Sequence, residues 1–408
     1  MSQIQLKLSI FLVCVPLLTV SCNRGPAGTS RSPSPSASPL VSQNVFDEFL
    51  RNEMLPADGF DFAVGDEDAK GAYRDKASGK SYAGWYVATN FAEAYRLGIH
   101  TGEDWNGTGG GNTDLGQDVY AVANGKVAFA NAYGEPWGNV VVIDHLFYEN
   151  NAKKSIRSVY AHLDSIRVRA GQDVRRRQPI GTVGQDPDKT FDAHLHLELR
   201  WDKTLSPTYW PSSNGKDAEW VKTHYTEPTS FINHHRKLPV PQNESTLVLV
   251  DQQSYKMRVY QKQRLFGEYY VGFGQGTGAK RVEGDRKTPA GMYFVIQKHQ
   301  GSFPGAYAPY YGGYWIKINY PNRYDASRAR AEGLITIKQE AEIAKEWDQR
   351  APTTEATSLG GGIGFHGWIK EWDDGGPRHL SFGCVVMHPG DISKVYEQID
   401  TGAMVVIF

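Results

Sequence analysis

Asp192-Ala193-His194-Leu195-His196-Leu197-Glu198-Leu199 alternates polar and apolar residues. Alternation with period two marks a strand, because successive side chains leave a strand on opposite faces. Leu195, Leu197 and Leu199 are therefore expected to face a core from a half-buried strand, with His194, His196 and Glu198 together on the other face. Two imidazoles at i and i+2 on one strand reach a single small cation or a single reacting group. The region reads as a β-sheet with chemistry on one face.

Working outward, residues 139–145 (NVVVIDH) and 158–162 (SVYAH) extend the strand pattern. Residues 118–130 read as two short strands joined across Ala123-Asn124-Gly125, a hairpin signal. Farther on, residues 246–251 and 256–261 flank a second hairpin turn, and residues 292–297 and 404–408 are strand-like. Helices are expected chiefly over 335–349 and 391–399. Residues 234–243 hold two prolines and no periodicity, which marks a boundary; His234 and His235 there read as solvated. The expected division is 45–237, a linker at 238–243, and 244–408. The fold class is mainly β: two β-rich domains, an antiparallel sheet followed by a sandwich-like domain.

Composition agrees with this division. A chain of 408 residues is long for one domain, and 40% hydrophobic residues with 12% aromatics supply packed cores. The 43 glycines favour turn-rich β structure. Forty-four basic residues against 45 acidic ones leave a formal charge of -1, which argues against recruitment to nucleic acid by bulk charge. Three cysteines, Cys14, Cys22 and Cys384, do not make a disulfide framework.

The N-terminus accounts for two of them. After Lys7, residues 8–20 form an apolar run, shorter than the roughly 20 residues a membrane-spanning helix needs but suited to a secretory signal. Residues 23–44 are a Ser/Pro/Gly-rich tether. The expected signal peptide is 1–21, with Cys14 leaving in it, and 22–44 the tether. Leu18-Thr19-Val20-Ser21-Cys22 resembles the lipobox of bacterial lipoproteins, with the leucine one place early. The resemblance implies a lipid anchor at Cys22, firm because several acyl chains act together; the competing reading is an ordinary signal cleaved near Ser21. It also implies the periplasmic side of a bacterial envelope, and Asn23, where an aspartate favours inner-membrane retention, leans toward the outer membrane.

Three histidine segments stand out: His100 with Asp104 four residues on, His162 after Tyr160-Ala161, and His194-Leu195-His196. Zinc suits neutral imidazole with a carboxylate, and a catalytic zinc keeps one position open. His100, Asp104 and His196 would make such a set, leaving His162 and His194 for acid–base work. His145 reads as structural. From about Phe60 to Phe231 the motifs HxxxD, a histidine after Tyr-Ala, and HLH followed by an acidic residue resemble the lysostaphin-type zinc metalloendopeptidases that cut peptidoglycan peptides. The resemblance implies Zn2+ on His100, Asp104 and His196, with His162 and His194 activating water and stabilising the tetrahedral intermediate. Family members that only regulate other enzymes have typically lost ligands; this chain keeps them.

Cys384 follows Ser381-Phe382-Gly383, and His366-Gly367 lies upstream after a glycine-rich run. A Cys–His pair can form a thiolate–imidazolium nucleophile, with nearby backbone amides for the oxyanion. With residues 284–291 (GDRKTPAG), this resembles the YkuD-type L,D-transpeptidase domain over about 246–408. The resemblance implies that Cys384 attacks a tetrapeptide stem, that His366 is the base, and that Ser381 and Gly383 shape the nucleophile turn. Phe382 stands where the family usually has histidine, and Val386 where it has arginine or asparagine. A branch with this less polar pattern is associated with hydrolytic release. Arg286, Lys287, Arg378 and His388 are candidates to replace the lost charge.

The resulting expectation is a lipid-anchored enzyme acting on peptidoglycan stem peptides, with a zinc endopeptidase and a cysteine acyl-transfer domain. The alternatives are an L,D-carboxypeptidase or amidase as the second domain, or an anchored peptidoglycan-binding regulator.

Overall fold

The computed structural model describes residues 49–52, 54–185, 188–207, 209–210, 214–374 and 378–408. The signal peptide, Cys14, Cys22 and the tether lie outside them. Among the described residues no helix is long and apolar enough to cross a membrane.

The protein is mainly β, built on two large sheets. In the ten-stranded first sheet, Leu195–Arg200 is central, antiparallel to Ala152–Ile166 on one side and to Glu103–Gly107 on the other. Leu195, Leu197 and Leu199 join one core, as their alternation dictates. The opposite face is covered as well: Val159 and Ala161 pack there with Trp137 and Trp210, whose rings stack 3.7 Å apart. The expected half-buried strand is thus buried on both faces.

The expected hairpin at 118–130 does not form. Asp118–Tyr120 pairs with Pro179–Val183, and Gly125–Gly134 pairs with Gly138–Glu149. Gly125 is a packing glycine rather than a turn residue: a Cβ there would sit 2.3 Å from the Asp144 carbonyl oxygen.

The second sheet has nine strands and closes on itself, because Lys256–Gln261 pairs both with Thr246–Asp251 and with Arg264–Gly274. The sandwich-like expectation resolves into this closed, mixed sheet, with parallel pairs at Thr246–Asp251/Met404–Ile407 and Gly364–Gly367/Val385–Met387. The 246–261 hairpin forms as read. Helices Ile337–Asp348 and Pro389–Gln398 match the two expected, whereas Arg323–Ala331, Ala218–His224 and Pro228–His234 were not expected. Arg323–Ala331 has a mean hydropathy too low to show an apolar stripe, and its start is fixed by the Asn322 capping box with Asp325.

The connector is packed, not solvated. His235 is buried, stacks on Phe231 with centroids 4.0 Å apart, and faces Glu149 at 3.2 Å. Burial pushes His234 down to about 4, and its carbonyl accepts a bond from Arg323. Leu238, Val240 and Pro241 are buried too. One apolar cluster joins Phe49 and Tyr148 to Leu247, Met292, Phe294 and Trp347. Trp347 is 2% exposed and its indole donates to the Met292 carbonyl at 3.1 Å. Trp347→Ala is expected to cost about 3–5 kcal/mol in urea denaturation, from lost burial plus the cavity left behind.

Candidate active sites

Strand register builds the first site. Asp104 lies directly across from His196 in one antiparallel pair, and Ala161 directly across from His196 in the other. His162 follows Ala161 at a register shift and has φ of 60°, a left-handed conformation uncommon outside glycine. Such irregularities re-aim side chains beside active sites. The His162 ring consequently lies 4.8 Å from that of His194 and 5.9 Å from that of His196. His100 follows the short strand Gly98–Ile99.

His100 Nε2, Asp104 Oδ1 and His196 Nδ1 converge, with separations of 3.0, 3.0 and 2.9 Å. His100 Nδ1 donates to the Asn90 carbonyl at 3.1 Å, and His196 Nε2 donates to Glu198 at 3.2 Å. With those nitrogens carrying the protons, neutral rings turn lone pairs toward the carboxylate. Three lone-pair donors facing one point repel unless a cation or a proton sits among them. A two-histidine, one-carboxylate set of this kind fits zinc. Burial opposes charging His196, but hydrogen bonds to Asp104 and Glu198 prevail and raise it to about 9. Burial likewise opposes ionising Asp104, yet its bonds to His100 and His196 hold it well below the carboxylate range.

Behind this set stands a fully buried relay. Glu198 accepts from Arg200 at 2.9 Å and from Thr101. Burial opposes its charge, and Arg200 with the His196 bond overcomes this and holds it at about 2. Carboxylates behind a ligating histidine fix its tautomer and raise its basicity. The alternation placed Glu198 on the histidine face; Arg200, two residues on along the same strand, shares that face but was not singled out, and Thr101 was not foreseen because its proximity is tertiary.

His194 Nδ1 donates to the Asp192 carbonyl at 2.9 Å, leaving Nε2 3.6 Å from Asp104. Burial lowers both His194 and His162, the latter well below the ordinary value and further through the neighbouring imidazoles. Both are neutral near pH 7 and able to accept a proton. All five residues read from the sequence line one cavity of about 370 Å³, walled by Tyr95, Trp137 and Phe191. His145 is structural as expected, bonded to the Asn124 carbonyl and to Ser158.

In the second site, Cys384 and His366 line one cavity of about 500 Å³ together with Ser381. His366 is paired in register with Val386, two residues beyond Cys384. Ser381 Oγ accepts from Gly383 N–H at 3.1 Å and donates to the Cys384 carbonyl at 2.6 Å, tying the nucleophile turn. Gly383 has φ of 138°, and a Cβ there would meet the Lys287 carbonyl oxygen at 3.0 Å, so glycine is required twice over. Its N–H is committed to Ser381 rather than open to an oxyanion.

His366 Nδ1 donates to the Tyr310 and Gly367 carbonyls, which leaves Nε2 as the basic nitrogen. Burial pushes the Cys384 thiol up to about 11 and lowers His366, and Sγ–H points to the Gly362 carbonyl at 3.6 Å. Both shifts favour a neutral thiol and a neutral imidazole. Of the four charged residues expected to compensate for Phe382 and Val386, none lines the cavity among its described walls. Arg286 lies over the Phe382 ring at 5.2 Å, and His388 is held between Glu371 and Asp374. The cation that does line the cavity is Lys280.

Residues 98–207 match Peptidase family M23, and residues 245–407 match the L,D-transpeptidase catalytic domain known as YkuD. Lipoprotein NlpD of Yersinia enterocolitica is 35% identical over 94 residues, 22% of this chain and 87% of that protein. Murein hydrolase activator NlpD of Salmonella dublin is 31% identical over 112 residues, 26% of this chain but only 27% of the relative's length. The helical cell shape determining protein Pgp2 from Campylobacter jejuni is 26% identical in its solved structure, covering 40% of this chain and 47% of that one with a TM-score of 0.28. The chain carries a Peptidase family M23 domain over residues 98–207 and a YkuD-type L,D-transpeptidase domain over residues 245–407.

Proposed function

We propose that the protein is a peptidoglycan-remodelling lipoprotein that hydrolyses peptide bonds at the first site and transfers or hydrolyses stem-peptide acyl groups at the second. The observation that carries the reading is the convergence of His100, Asp104 and His196 within 3.0 Å of one another, with their outer nitrogens already committed. Those three residues would hold zinc, which when bound polarises a carbonyl and makes water acidic enough to attack near neutral pH. Neutral His162 and His194 accept the proton of the attacking water and hydrogen-bond the developing oxyanion. Trp137 and Phe191 wall the site against bulk solvent.

At the second site His366 Nε2 takes the Cys384 proton as sulfur attacks a stem-peptide carbonyl, then returns it to the departing amine. The apolar Phe382 and Val386 beside the nucleophile favour hydrolytic release over cross-linking. The domain limits proposed are 45–237 and 244–408, with a lipid anchor at Cys22 on the periplasmic side of the envelope. Relatives named as lipoproteins, one of them an outer membrane antigenic lipoprotein of Haemophilus influenzae, support the anchor and an outer-membrane lean. A second reading, an anchored regulator, is favoured by relatives named murein hydrolase activators; the complete donor set favours an active hydrolase.

Zinc analysis of the purified protein, with mass spectrometry of muropeptides, tests the reading. The expected result is about one zinc per chain and peptide cleavage that chelation abolishes. Cys384→Ala is expected to leave that cleavage intact while removing every second-site product. New cross-links in the wild type mean transpeptidation, and shortened stems mean hydrolysis. A protein without zinc that cleaves nothing would leave the regulator.

A further inference from the structure

Lys280 is a buried cation, its side chain 5% exposed, in the wall of the Cys384 cavity. Two of its N–H bonds go to protein: one to the Val282 carbonyl at 3.1 Å and one to Asp285 at 2.9 Å. Asp285 is itself anchored by the backbone N–H groups of Arg281, Val282 and Lys287. The ammonium also lies 5.5 Å from the Tyr320 ring centroid. A lysine held this way cannot swing out into solvent, unlike an ordinary surface lysine. The other titratable groups on the cavity wall are His366, Tyr307, Tyr310, Tyr311 and Glu283. Burial and the Cys384 charge both raise Tyr311, so it rests as neutral phenol. Lys280 is the one lysine or arginine among the described lining residues.

We propose that Lys280 is a positioning residue of the second site, a fixed cation that stabilises the Cys384 thiolate in place of the polar groups missing at Phe382 and Val386. The inference rests on the cysteine-nucleophile reading above and deepens it. When Cys384 gives its proton to His366, the new negative charge on sulfur forms in a largely aromatic cavity where an unpaired anion is costly. Lys280 offsets that charge through the low-dielectric wall. Sulfur then bonds to the peptide carbonyl carbon, the C–N bond breaks, and the amine leaves with the proton carried by His366. The residual burial cost is consistent with a thiol still held at about 11, on which Lys280 acts in the lowering direction.

The test reads the thiol rather than the overall reaction. Full-length protein is alkylated with iodoacetamide from pH 7 to pH 10, and the rate is followed by mass spectrometry on the peptide that contains Cys384 alone. An opposite charge facing an ionisable group typically shifts its pKa by roughly one unit or more. Lys280→Met is therefore expected to slow alkylation about tenfold at each pH, and Lys280→Arg, which retains the charge, to restore most of the rate. A Lys280→Met profile that superimposes on the wild type overturns the proposal. Should Lys280→Met not fold, the wild type alone decides: a fixed cation makes anionic iodoacetate react faster relative to iodoacetamide than it does with free cysteine, and salt diminishes the advantage. A ratio no higher than that of free cysteine overturns the proposal. Failure of the broader reading would appear separately, as absent muropeptide products with the alkylation results unchanged.

Discussion

His162→Ala is expected to lower the rate of peptide cleavage by about two to four orders of magnitude, the usual contribution of a positioned general base, while leaving bound zinc in place. His162 is not part of the converging donor set; its ring stands 5.9 Å from that of His196 and 4.8 Å from that of His194. Its side chain is aimed there by a backbone irregularity, not by strand pairing, so truncation leaves the sheet register intact. His196→Ala removes one of the three converging donors and is expected to remove both zinc and cleavage. Measuring zinc content beside cleavage rate separates the two roles. Wild-type cleavage in His162→Ala would show that another group takes the proton.

The second large effect is on stability. Glu198→Ala is expected to destabilise the fold by about 3–5 kcal/mol, because it leaves the fully buried Arg200 guanidinium without its carboxylate. Arg200 retains bonds to the Ser206 and Tyr209 carbonyls, but these do not neutralise its charge. Glu198 also fixes the tautomer of His196, so Glu198→Gln, which keeps the shape, is expected to weaken zinc affinity by about 10–100-fold. The acid dependence has a definite sign. The folded carboxyl is depressed to about 2 from an ordinary 4.5, so its stabilisation is complete above the unfolded value and is lost as pH falls through the folded one. Urea denaturation between pH 7 and pH 2 is expected to show that this acid-linked loss is smaller in Glu198→Gln than in the wild type. Identical pH profiles would mean that folding does not depress the Glu198 carboxyl.

Period-two alternation was enough to read the Leu195–Arg200 strand and the face shared by His196 and Glu198, because both depend only on which way successive side chains point. The 246–261 hairpin and two of the helices were legible for the same local reason. Gly125 was misread as part of a turn, since a glycine required for close approach to Asp144 looks the same in sequence as one required for a left-handed turn. His234 and His235 were misread as solvated because nothing local announces Glu149 or Arg323 beside them.

The residue types and their spacing by themselves singled out the candidate side chains: His100, Asp104, His162, His194 and His196 for one site, His366 and Cys384 for the other. Tertiary structure alone decided what state those groups rest in. Burial and neighbouring charge set protonation, and both come from chain segments far away in sequence. For that reason Thr101 behind Glu198, the neutral states favoured at Cys384 and His366, and Lys280 in the cavity wall emerge only once the sheets are folded.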